Sequence, residues 1–335
     1  MDKKPIKIFE HFKKKKVLVI GDVMVDAYMH GKVQRISPEA PVPVLQLFKQ
    51  EQRLGGAANV AMNIQALGAT PVLCSVVGDD EEGKTFARLL KEHKMPFNGI
   101  IKSLKRTTTV KHRILSESQH LLRIDAETTE PLEELDRKAL LAHIKNLMVD
   151  CDLVIFEDYD KGIIDATVIS ETIALANKHK IPSAADPKKK NFKHYLGCTL
   201  FKPNLKELKE GLSIEFDEDD PAALTSTVNE LHKDLKAENY LVTMGGKGVY
   251  FHASESKETG TFSAKKMPIA DVSGAGDTVI SIAGLALTAG LPLVDIAELS
   301  NLGGGIVCTS SGVTFIDQDK LREQAANKAN LKKYV

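Results

Sequence analysis

Asp271-Val-Ser-Gly-Ala-Gly-Asp-Thr278 puts two carboxylates and two glycines directly ahead of the apolar run Val279–Leu287. Gly274 and Gly276 let backbone N–H groups converge, and a helix starting there leaves its first-turn donors free to receive an anion. Such a hole suits the charge on a transferring phosphoryl group. No P-loop lysine follows. Instead Asp277 falls in the first turn, where the helix dipole favours its ionised form. A carboxylate there repels phosphate unless it accepts a proton from an attacking hydroxyl, and phosphoryl transfer needs only a weak, well-placed base. Taken alone, the loop reads equally well as an ordinary helix start capped by Ser273 or Asp277.

Other polar residues carry the same double reading. Asn204 and Glu207, three apart, are spaced to hold Mg²⁺ directly or through water near nucleotide phosphates. They are also spaced as a capping box, and the two roles are compatible. Asp22 and Asp26 suit sugar hydroxyls or, as well, loop capping. In Gly55-Gly-Ala-Ala-Asn59 the small residues allow close helix–sheet packing, and Asn59 is the polar exception in an apolar helix. Lys111, Arg113 and Arg123 form either a solvated face or a grip on a substrate phosphate.

The elements that must position these groups alternate between strand and helix. Val17–Gly21, Val72–Val77, Leu153–Glu157, Pro182–Asp186, Thr199–Lys202 and Tyr240–Thr243 read as strands. Gly56–Leu67, Glu81–His93, Leu132–Met148, Asp165–His179 and Pro221–Leu235 read as helices, which predicts an α/β fold with a mainly parallel sheet covered on both faces. Ligands in such folds bind at the carboxyl ends of the strands. That edge collects Asp22 and Asp26, Gly55–Asn59, Asp158–Gly162, Asp186–Lys188, Lys202–Glu207, Thr243–Gly248 and the Asp271–Thr278 loop. One such loop means little; together they mark a site. Two stretches, about 28–53 and 107–125, alternate without a helix period and predict β-ribbons forming a small lid. We expect one domain over residues 1–335 with that lid.

Composition narrows the function. The chain has 335 residues, 43% hydrophobic and 27% charged, with 45 basic and 45 acidic side chains. A balanced charge and the absence of Trp argue against nucleic acid and membrane surfaces as partners. Cys74, Cys151, Cys198 and Cys308 are too dispersed for a zinc site and fit thiols in a reducing compartment. No apolar run reaches the length of a membrane span, so the expected location is cytoplasmic.

These motifs, in this order, resemble the ribokinase-like (PfkB) sugar-kinase family over nearly the whole chain. Gly55-Gly-Ala-Ala-Asn-Val-Ala-Met-Asn-Ile64 and the Asp271–Thr278 loop match its two signature regions. The segments around Ile36-Ser-Pro-Glu-Ala-Pro-Val-Pro-Val44, Glu157–Gly162, Asp186-Pro-Lys188 and Pro203–Glu207 are similar to the members that phosphorylate D-glycero-β-D-manno-heptose 7-phosphate at O1. The resemblance implies a three-layer α/β/α sandwich with a β lid, and ATP and Mg²⁺ as cofactors. Asp277 would be the base, and Gly274, Ala275 and Gly276 the anion hole. Asn204 and Glu207 would meet MgATP, Thr243, Gly245 and Gly248 would line the nucleotide site, and Asn301 would lie near adenine. Asp26, Gly55, Gly56 and Asn59, helped by Asp22, would hold the sugar, with Lys111, Arg113 and Arg123 on its phosphate. Asp271 with Ser311-Gly312 would frame a K⁺ site, and the lid would pair two subunits into a homodimer.

The chain departs from the pattern at Ser273 (often Thr), at Glu157 (often small) and at Gly303–Gly305 (usually alanines). It carries no nucleotidyltransferase motif, so it is expected to make the bisphosphate without attaching a nucleotide. Two other readings stay open: a PfkB kinase for a different sugar, and a non-catalytic sugar- or nucleotide-binding regulator.

Overall fold

Val17, Leu18, Val19 and Ile20 are all completely buried, as a strand covered on both faces requires. The computed structural model describes residues 7–335 apart from 118, 266, 267, 269 and 311, so Ser311 lies outside the described residues. In chain order the elements are α1 (Ile8–Phe12), β1 (Lys16–Gly21), β2 (Val23–Ile36), β3 (Pro43–Gly56), α2 (Ala57–Ala66), β4 (Thr70–Gly78), α3 (Glu81–Glu92) and β5 (Ile100–Ser103). Next come β6 (Thr109–Ser116), β7 (Gln119–Ala126), α4 (Glu134–Met148), β8 (Leu153–Glu157), α5 (Ala166–Lys178), β9 (Ser183–Asp186), β10 (Leu200–Phe201), α6 (Leu205–Leu212) and α7 (Pro221–Leu235). The chain continues through β11 (Asn239–Thr243), β12 (Val249–Ala253), β13 (Thr259–Phe262), α8 (Ala275–Thr288), α9 (Leu293–Val307) and α10 (Gln318–Ala326).

The main sheet has nine strands in the order β13-β12-β11-β10-β9-β8-β1-β4-β5. From β11 to β5 the pairing is parallel; β12 and β13 add an antiparallel edge that the sequence reading passed over. Thr259-Gly-Thr-Phe262 has too little apolar content to announce a strand. Side-chain alternation divides the core in two. Val17 and Val19 pack with residues of α1, α2, α3, α8, α9 and α10. Leu18 and Ile20 pack with α4, α5, α6 and α7 on the other face. The fold is therefore the expected three-layer α/β/α sandwich. The Gly303 departure has a steric cause, since a Cβ there would stand 2.0 Å from Ile282 Cδ1 where α9 crosses α8.

The lid is a separate sheet of four strands, β3-β2-β6-β7. It starts earlier than expected: β2 begins at Val23, with only Asp22 between it and the end of β1, so Asp26 belongs to a lid strand rather than to a strand-end loop. The lid is fastened at its root. The Tyr28 hydroxyl accepts from the Val313 amide at 3.2 Å, and Arg53 Nη1 donates to the Val313 carbonyl at 3.0 Å. The Arg53 guanidinium also lies 4.7 Å over the Tyr28 ring. No helix among the described residues is long and apolar enough to cross a membrane.

Candidate active site at the carboxyl edge of the sheet

α8 starts at Gly274, whose φ of 79° is left-handed, and no side chain caps it. This corrects the alternative in which Ser273 or Asp277 serves as N-cap. Asp277 instead turns into the protein, 4% exposed. Its Oδ2 accepts from Asn59 Nδ2 at 2.6 Å and its Oδ1 accepts from the Tyr159 hydroxyl at 3.0 Å. Burial pushes the Asp277 carboxyl up, the Asn59 donor pulls it down, and the charge on Asp186 pushes it up again. Ala275 and Gly276 form the first turn; the Ala275 amide is turned to the Val272 carbonyl at 3.3 Å rather than outward as expected, so the Gly276 N–H and a carboxylate meet at one helix start.

The lysine missing from the loop in sequence is present in space. Lys202, just past β10, is 2% exposed and pairs through Nζ with Asp186 Oδ2 at 2.7 Å. That Nζ lies 3.6 Å from where a Cβ on Gly276 would stand. Burial works against the charge on Lys202, but Asp186 and Glu207 hold it above the usual lysine range. Glu157 closes the cluster from the end of β8. Burial, then Asp186 and Asp277, push its carboxyl well up, and its Oε2 has no hydrogen-bond partner among the described residues. The sequence signals were modest: a lysine ending the apolar Leu200–Phe201 pair, and the Glu157 departure. Neither was assigned a role.

Asn204, Thr243, Gly245, Gly248 and Asn301 all line one cavity of about 790 Å³, and Ala275 and Gly276 form part of its wall. Its size suits a nucleotide. Asn301 Nδ2 donates to the Ser263 carbonyl at 2.9 Å, so this amide also braces the wall. Asn204 and Glu207 form the full capping box, with both reciprocal bonds at 2.8 Å. The second Glu207 oxygen accepts from Lys188. Among the described residues, no group of three or more His, Cys, Asp or Glu side chains is arranged to hold a metal unaided. The carboxylates of Asp186 and Glu207 nonetheless fit Mg²⁺ shared with a phosphate. Both are hard oxygen donors, and Asp186 Oδ1 is buried without a hydrogen-bond partner.

On the lid side, Asp26 is 2% exposed and its Oδ1 accepts from Arg113 Nη2 at 2.6 Å. Gly55 makes room for this carboxylate, since a Cβ there would lie 2.3 Å from Asp26 Oδ2. Gly56 is the N-cap of α2 and leads directly to Asn59. Lys111 Nζ lies 5.9 Å from the Tyr159 ring centre, facing the cleft. Arg123 does not join it: it is more than half exposed and pairs with Asp125 at 3.0 Å. Asp22 takes the loop-capping alternative. Its carboxylate accepts from the amides of Tyr159, Lys161 and Ile163 at 2.8, 3.2 and 3.0 Å, so it holds that loop. Asp271 accepts from the Ser273 amide at 2.9 Å and the Gly312 amide at 3.1 Å, tying the glycine loop to the segment that anchors the lid.

The loop held by Asp22 also contains Asp158, whose carboxyl is pushed up to about 7 by burial first and by the charge on Asp22 second. The unfolded chain titrates near 3.9. The folded value is the higher one, so its stabilising contribution is complete below about pH 4 and is lost as pH rises through about 7. Asp158→Asn should therefore gain melting temperature relative to the unmutated protein between about pH 5 and about pH 8. Parallel melting curves across that range would remove Asp158 as the titrating group.

Comparison with known proteins bears on the family and the fold. The family model described as pfkB family carbohydrate kinase matches residues 14–320. The "Bifunctional protein HldE" of Helicobacter pylori strain G27 is 39% identical over 307 residues, covering 92% of this chain and 65% of its own length. The protein of the same name from Syntrophotalea carbinolica is 35% identical over 334 residues, covering 98% of this chain and 67% of its own. The chain thus spans about two thirds of these relatives. Among solved structures, phosphofructokinase-2 of Escherichia coli in complex with potassium superposes with a TM-score of 0.76 at 18% identity, over 92% of this chain and 97% of its own. Ribokinase of Arabidopsis thaliana complexed with ribose and ATP gives 0.71 at 16% identity, over 92% and 98%. At these identities the structural likeness speaks for the fold.

Proposed function

The chain belongs to the pfkB family of carbohydrate kinases, and from that premise we propose that it transfers the γ-phosphoryl group of ATP to O1 of D-glycero-β-D-manno-heptose 7-phosphate. The observation that carries the reading is the helix start of α8, where Asp277 is held by Asn59 and Tyr159 beside the buried Lys202. The acceptor hydroxyl gives its proton to Asp277 as its oxygen forms a bond to the γ-phosphorus. The bond from that phosphorus to the bridging oxygen breaks, and ADP leaves with the electron pair. Amides of Gly274 and Gly276, with Lys202, face the charge that develops on the phosphoryl oxygens, and the Ala275 amide would have to leave the Val272 carbonyl to join them. Mg²⁺ bound with the nucleotide would neutralise phosphate charge, with Asp186 and Glu207 the residues to hold it.

The acceptor is narrowed to a heptose phosphate by the Ile36–Val44 and Glu157–Gly162 segments and by the likeness to the proteins named HldE. Lys111 and Arg113 suit the 7-phosphate; Arg123 would have to turn in from solvent to join them. Exposed Ile36, Phe48, Leu122 and Ile124 on the lid support a homodimer formed through it. Purified protein should release ADP from ATP rapidly with this heptose phosphate, and at least tenfold more slowly with fructose 6-phosphate, ribose or unphosphorylated heptose. Equal or faster turnover of any of these overturns the substrate assignment.

A further inference from the structure

Tyr159 belongs to the buried cluster but has no part in the transfer as described so far. Its backbone is already secured, because its amide donates to Asp22. That bond makes no use of the hydroxyl. It donates instead to Asp277 Oδ1. The ring is held between two cations, with Lys188 Nζ 5.4 Å and Lys111 Nζ 5.9 Å from its centre, one from the main sheet side and one from the lid.

We propose that Tyr159 is a positioning residue for Asp277: with Asn59 it fixes both carboxylate oxygens in place and keeps the base ionised inside a buried, acid-rich cluster. This rests on the kinase reading of Asp277. Each carboxylate oxygen has a second lone pair, so Oδ1 accepts from Tyr159 and still has a site for the proton of the acceptor hydroxyl. The groups facing Asp277 are neutral Asn59 from α2, Glu157 from β8, Asp186 from β9 and Lys202 from β10, with Lys188 beyond Tyr159. Burial and the charge on Asp186 favour a protonated Asp277, whereas the hydrogen bonds from Asn59 and Tyr159 and the charge on Lys202 oppose that. The phenol stays a donor at every working pH, because burial and the charge on Asp277 push it well above its ordinary value.

The test is the titration of the Asp277 carboxyl, followed by ¹³C NMR on protein labelled in its aspartate side chains and assigned by the signal lost in Asp277→Asn. Tyr159→Phe should move the midpoint up by about one pH unit, the scale of one hydrogen bond to a charged group. The acid limb of kcat/KM should move with it, while KM for ATP is unchanged and kcat recovers at alkaline pH. A merely structural tyrosine would change stability and leave the midpoint where it was, and that result overturns the proposal. Incorporating 3-fluorotyrosine at Tyr159 keeps the ring and makes a stronger donor, so the midpoint should move down; this settles the matter if the phenylalanine variant folds poorly. The NMR midpoint needs no turnover. Failure of the substrate assignment would show instead as an unmutated protein that does not phosphorylate the heptose phosphate.

Discussion

Asp277→Asn should lower the rate of phosphoryl transfer by about 10²–10⁴-fold, the usual share of a general base. The substitution keeps shape and burial, and Asn59 can rotate its own amide to face the new side chain. It also removes a negative charge from a site shared with Asp186 and Glu157, so melting temperature should hold or rise. Calorimetry should find ATP and sugar phosphate still bound, with the loss confined to the chemical step in single-turnover measurements. More than about a tenth of the unmutated rate would mean that another group takes the proton, because an amide cannot. The non-catalytic regulator, left open by the sequence, makes the opposite prediction. It has no turnover to lose.

Lys202→Met is expected to damage both folding and chemistry. It takes from the buried Asp186 its close partner and leaves only Lys188 at 3.8 Å, in a setting where breaking a buried pair typically costs about 3–5 kcal/mol. The ion pair at 2.7 Å lies directly beneath the first turn of α8, so the same change removes the cation nearest the phosphoryl position. The two effects can be separated. Adding Asp186→Asn to Lys202→Met removes the carboxylate charge as well and should restore most of the denaturation midpoint while turnover stays at least 10²-fold down. Turnover returning together with stability would reduce Lys202 to a structural ion pair.

What the sequence disclosed follows from how local each signal is. The parallel strands were legible because four or five buried apolar residues in a row leave few other readings, and Asp277 because its loop carries its own glycines. Asn59 lies 218 positions from Asp277, and nothing in either segment says that they share a hydrogen bond. Lys202, Glu157 and Tyr159 acquire meaning only when β8, β9 and β10 lie side by side. For Asp22 the sugar and loop readings differ only in where three amides 137 to 141 positions later come to rest. The capping box of Asn204 and Glu207 was readable because its two halves are three residues apart. The β12–β13 edge was not, because its polar strands have partners that no local pattern identifies.

The lid leaves and rejoins the main body at neighbouring points, since Val23 at its entry pairs directly with Gly56 at its exit. A segment whose ends lie one strand spacing apart can be exchanged as a cassette without re-threading the sheet that carries it. Asp26 and Gly55 travel inside that cassette, whereas Asp277 and Lys202 stay in the chassis. On the proposed kinase reading, transplanting residues 23–56 together with the β6–β7 hairpin should change the acceptor and leave Asp277 and Lys202 in place.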